Sequence, residues 1–125
     1  MIDLATAIKQ LMNEVTTNSH LEMNHDDTVT YPYLTYSINT DGPDGNQEIG
    51  TIEVQIFDHG TSYTRILGLE EELEKVFHKR REFTPELFLQ FQIGRRGNVP
   101  TATENIKRRD TFISAKIDWR NKQWH

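Results

Sequence analysis

The chain has 125 residues, 35% hydrophobic and 26% charged, with 12 aromatic residues. That is the size and make-up of one folded domain spanning residues 1–125, and it is too rich in aromatics for a disordered chain. The absence of cysteine excludes a disulfide scaffold, thiol catalysis and cysteine-held zinc, and no apolar run reaches the roughly 18 residues that a membrane span needs. The formal net charge of −5 is unevenly spread. Residues 1–93 carry 6 Lys/Arg against 16 Asp/Glu, whereas residues 94–125 carry 8 against 3. An acidic body with a basic C-terminal quarter suggests nucleic acid or an oppositely charged protein surface as a partner, against the plainer reading of ordinary surface charge.

The N-terminus has Asp3 where a secretion signal would be basic, and no apolar signal core follows, so synthesis in a cytoplasm is expected. Leu4, Ala5, Ile8, Leu11, Met12 and Val15 form one apolar stripe at helical spacing. Asp3 is the expected N-cap, and the helix should end near residues 16–18. Residues 17–30 are polar and without period, which predicts a connecting loop.

Two strands come next. Leu34, Tyr36 and Ile38 alternate with Tyr33, Thr35 and Ser37; Ile52, Val54 and Ile56 alternate with Glu53, Gln55 and Phe57. Residues 39–48 between them are rich in Gly, Pro and Asp, so the pair reads as a hairpin with a long loop. A second helix is expected through Ile66, Leu69, Leu73, Val76 and Phe77. Thr61 or Ser62 would cap it, Gly68 would delay its start, and Lys79, Arg80 and Arg81 would meet its negative end. Glu70, Glu71, Glu72 and Glu74 read as its solvated face.

The last two strands are Leu87, Leu89, Phe91 and Ile93 alternating with polar residues, and Ile113, Ala115, Ile117 and Trp119 doing the same. Residues 94–109 between them predict a long basic loop. The expected fold class is α+β: an α-β-β-α-β-β two-layer sandwich, with a four-stranded antiparallel or mixed sheet and two helices on one face.

Two surfaces stand out. Tyr33, Phe57, Phe88 and Phe112 fall on the polar side of their strands, either as a protein–protein interface or as a face covered by residues 17–30 or the tail around Trp124. Asp41, Asp44 and Glu48 on one loop and Arg95, Arg96, Lys107, Arg108 and Arg109 on the other suit head-to-tail contacts between copies, which close into rings. The basic set could alternatively contact DNA phosphates, and the plain alternative is two mobile, solvated loops.

Signals for catalysis are weak. His20, His25, His59, His78 and His125 form no H-x-x-x-H or H-E-x-x-H pattern, and His20, His25 and Asp26 or Asp27 lack metal-site spacing. Asp44 and Glu53 lie as in the acidic strand of a metal-dependent nuclease, but Gln55 stands where such a site needs lysine. No enzyme activity, cofactor or metal is expected.

The opening Y-P-Y-L-T-Y (residues 31–36), V-x-I-F-D (residues 54–58) and closing I-x-A-x-I-D-W (residues 113–119), in this order of elements, resemble the small tail-completion proteins of long-tailed bacteriophages and prophages, also called tail terminators or tail-to-head joining proteins. The resemblance implies a non-enzymatic virion part made in the host bacterial cytoplasm. It implies a ring of copies, generally a hexamer, at the head-proximal end of the tail. The partners would be further copies of the chain, the major tail tube protein and the head connector protein. DNA would only pass through the lumen, and no membrane is involved. An acidic lumen that lets DNA slide would leave the basic residues as inter-subunit or tube contacts. The alternatives are a head-completion or connector adaptor, and a nucleic-acid-binding module using residues 94–109.

Overall fold

The computed structural model describes residues 2–26, 28–42, 47–103 and 105–119. The elements run α1 (Ile2–Val15), β1 (Ser19–Leu21), β2 (Tyr33–Thr40), β3 (Gln47–His59), α2 (Thr64–Phe77), β4 (Arg81–Phe83), β5 (Leu87–Val99) and β6 (Ile106–Trp119). The six strands form one mixed sheet in the order β1-β2-β3-β6-β5-β4, curled into half a barrel. All neighbours are antiparallel except β1 and β2, which are parallel. The expected four-stranded sandwich is therefore corrected to a six-stranded curled sheet. The two additional strands, β1 and β4, have three residues each, too few to show a period of two.

The helices follow their apolar stripes. Leu4, Ile8, Leu11 and Met12 of α1 are buried with Ile66, Leu73 and Phe77 of α2. They share one core cluster with the inward residues of the sheet, among them Leu34, Ile52, Ile56, Leu89, Ile113 and Ile117. Because only one alternating set from each long strand joins that cluster, both helices cover the same face. Burying each of these side chains contributes about 1.5–3 kcal/mol.

Several boundaries move. Asp3 lies inside the first turn of α1 and does not precede it. α2 starts at Thr64 and runs through Gly68, whose missing Cβ faces open space. Tyr63 is its N-cap, and the Ser62 hydroxyl accepts from the Thr64 amide at 3.1 Å. Lys79, Arg80 and Arg81 lie beyond the last turn; Arg80 reaches Glu14 at 3.5 Å and Glu82 at 2.6 Å. Neither described helix is long and apolar enough to cross a membrane.

Segment 17–30 is more organised than a plain loop. The Asn18 side-chain amide donates to the carbonyls of Thr30 (2.7 Å) and Pro32 (3.0 Å), and the Leu34 amide donates to the Asn18 carbonyl (3.1 Å). These bonds hold β1 against β2.

The largest correction concerns residues 94–109. β5 continues to Val99 and β6 begins at Ile106, so most of the expected loop is ladder. A bulge interrupts the register between Ile93 and Arg96. At Gly94 an added Cβ would lie 3.2 Å from the Phe112 carbonyl oxygen, so glycine permits this close approach. The bulge breaks the alternation that marks a strand in sequence.

Candidate functional site

The two charged segments occupy opposite ends of the sheet. β3 pairs with β6 from Gln47 against Asp118 to His59 against Ile106. At about 3.3 Å per residue the ends lie roughly 40 Å apart.

The basic end is tied into the fold. Arg96 and Arg109 face inward toward α2. The Arg109 guanidinium grips Glu70 through both Nε and Nη2, and its Nη1 donates to Asn98 Oδ1 at 2.9 Å. Arg96 lies 3.6 Å from Glu70 and 3.3 Å from Glu74. Glu70, read from sequence as solvated, is only 6% exposed. Nearby, Asp58 is 2% exposed and takes a two-pronged bond from Arg65, at 2.6 and 3.0 Å. Placing Arg96, Arg109 and Asp58 on the inner face explains why this stretch is polar where a core strand would be apolar.

Outward, Arg108 forks onto Asp110 at 2.8 and 2.9 Å. That hydrogen bond raises the Arg108 pKa, against a smaller lowering from burial. Arg108 also lies over the Phe57 ring at 5.8 Å and Arg95 over Phe112 at 5.4 Å, while on the inner side Lys107 lies over Tyr63 at 5.9 Å. Arg95 is exposed.

The acidic end is sparser. Glu48 accepts from the Trp119 indole at 2.8 Å, which anchors the end of β6. Asp41 is exposed, its amide donating to the Ile49 carbonyl at 2.9 Å. Asp44 lies outside the described residues. Of the expected charge set, the structure thus brings Arg96 and Arg109 together with Glu70 and Glu74 in the same chain, and it leaves Asp41 and Arg95 on the surface.

The four outward aromatics share a face but form no single patch. Tyr33 and Phe57 oppose each other in the register and stack at 5.0 Å. Tyr31 adds to them, 5.5 Å from Tyr33 and 5.8 Å from His59. Burial, with a smaller contribution from Tyr31, raises the Tyr33 pKa. Phe88 stacks at 4.2 Å on Phe83 of β4, a residue that sequence reading assigned no role. Phe112 lies between these two pairs, under Arg95. The tail around Trp124 lies outside the described residues.

A hollow of about 400 Å³ opens between α1 and β1, lined by Lys9, Leu21, Met23, His25 and Tyr36 among others. His20 and Asp26 also line it, 3.8 Å apart. Among the described residues no three His, Asp or Glu side chains converge as a metal would require. Glu53 lies outward on β3, opposite Ser37 and Phe112.

The fold recurs elsewhere. A chain from the virion of a native gene transfer agent particle superposes with a TM-score of 0.62, covering 86% of this chain and 84% of that one at 9% identity. A second solved structure, which carries no functional description, also gives 0.62, covering 98% and 99% at 13% identity. At these identities the likeness is one of fold. No protein-family model and no curated protein matches the sequence.

Proposed function

We propose that this chain is a virion structural protein that terminates a tail tube and joins it to the head connector, working as a ring of identical copies with DNA passing through the lumen. The observation that carries the reading is the near full-length likeness to a chain of a gene transfer agent virion. It agrees with the order of motifs from residues 31–36 to residues 113–119. The charge geometry favours assembly over DNA gripping. Arg96, Arg108 and Arg109 are occupied by Glu70, Glu74 and Asp110, so they hold back little charge for phosphates. The acidic body repels DNA, as suits a passage.

Asp41 and Arg95 are the charged contacts expected between copies or toward the tube, with Glu48, Tyr33, Phe57 and Phe88 supporting the surfaces around them. Arg109 is a poor place to test assembly, because reversing its charge would break the Glu70 contact and the fold with it. The test is electron microscopy of the chain mixed with tubes of the major tail protein from the same source. The reading predicts a ring at one end of each tube and a halt to further growth there. Tubes that keep growing with bare ends would overturn it.

A further inference from the structure

The sheet has two incompletely covered edges. β1 pairs with only three residues of β2, from Leu34 to Tyr36, and the Glu22 amide adds one bond to the Tyr36 carbonyl. Among the described residues no strand pairs with β2 beyond that point. β4 likewise pairs with only three residues of β5, from Phe88 to Gln90, followed by one bond from the Phe91 amide to the Arg80 carbonyl. No described strand pairs with this edge of β5 beyond it. Each edge is therefore a short strand beside a notch.

The register puts the notches at the same height. Tyr36 lies level with Val54, Thr111 and Arg96, and Thr40 lies level with Gly50, Ala115 and Phe91. Taking the direction of β2 as up, β1 sits below its notch at residues 37–40. β4 sits above its notch at residues 91–96. The short strands also point the same way: β1 is parallel to β2, and β4 is antiparallel to β5, which itself opposes β2.

We infer that these two stepped edges are the joint between copies of this chain. The inference deepens the ring reading above and rests on it. When one copy slides by two residues, about 7 Å, β4 of one copy enters the notch on β2 of its neighbour. The neighbour's β1 then enters the notch on β5. An even slide keeps inward and outward side chains aligned across the joint. β1 and β4 fall into one line, the C-terminal end of β1 meeting the N-terminal end of β4.

Two features of the edge strands fit that occupant. Glu22 directly follows β1 and Arg81 begins β4, both exposed, so opposite charges meet where the strands meet. Each edge strand also carries a large exposed apolar side chain, Leu21 at 47% and Phe83 at 66%. Protected edges avoid such residues. The slide sets Leu21 beside the half-buried Ile93 of the neighbouring copy, on the inner face. The contact is heterologous, joining a different edge on each side, as a ring requires.

Cysteine pairing tests the joint cleanly because the chain has no cysteine of its own. The Glu22→Cys/Arg81→Cys double variant, oxidised under assembly conditions, is expected to give a ladder of covalent multimers, and each single variant at most dimers. Glu22→Arg is expected to weaken association at least about tenfold, and adding Arg81→Glu to restore it. Circular dichroism and thermal unfolding establish that each variant is folded, with Glu22→Gln as a milder substitute. Rings that form normally in Glu22→Arg, with no ladder from the double variant, would overturn the joint and leave the ring reading standing. An unaltered chain that forms no oligomer, alone or on tail tubes, would overturn both.

Discussion

At the β5–β6 end of the sheet, Arg96 and Arg109 turn inward and meet Glu70 and Glu74 of α2. At the β2–β3 end, Asp41 stays at the surface and Glu48 accepts from the Trp119 indole. Both ends read as charged loops in sequence, yet at one the cations brace the sheet to α2, and at the other Asp41 stays exposed. Charge density along a chain does not tell the two apart. The deciding partner, Glu70, lies 39 positions from Arg109, on a different element. Arg95, by contrast, lies exposed over the Phe112 ring.

The contrast predicts unequal costs of mutation. Arg109→Leu leaves Glu70 buried with only the more distant Arg96, and should destabilise the chain by about 3 kcal/mol in denaturant unfolding. The Glu70→Leu/Arg109→Leu double variant should recover most of that, since no buried charge remains unpaired. A loss under about 0.5 kcal/mol for Arg109→Leu would mean that the brace is not formed. At the other end, Glu48→Ala should cost about 1 kcal/mol through the lost indole bond, with the change in amide exchange confined to the end of β6. Arg95→Ala should change stability by less than about 0.5 kcal/mol, because its cation–π contact is exposed.

Alkaline pH sharpens the picture between the ends. Burial raises the pKa values of Tyr33 and Tyr36 above 10.0 in the folded chain. A phenol whose folded pKa is raised holds its proton more tightly than in the unfolded chain. Its contribution to stability is full below about pH 10 and is lost as the pH climbs through the folded pKa. Tyr36→Phe should therefore flatten the fall in stability above pH 10, as read by urea unfolding at successive pH values.

Much of the fold was legible because its signals are periodic. The stripe from Leu4 to Val15 and the alternations around Leu34, Ile52, Leu89 and Ile113 each place a long element on the core. What stayed hidden was short, interrupted or inverted in polarity. β1 and β4 span one and a half alternations each. The bulge at Gly94 and Arg95 disguises the second half of β5. Asp58, Arg96 and Arg109 are polar residues on an inward face, so the hydrophobic pattern excludes them. Of the candidate surface, the opposition of Tyr33 and Phe57 could be worked out from hairpin pairing alone. The stepped edges could not, because they depend on strand order and on register across four strands.

Copies of this chain are proposed to join head to tail into a closed ring. Light scattering after size exclusion, on the chain alone and then with the major tail protein, measures it most directly. One discrete multiple of the chain mass is expected, in solution or on the tube. A strict monomer that ignores tail protein but shifts on addition of DNA would contradict it.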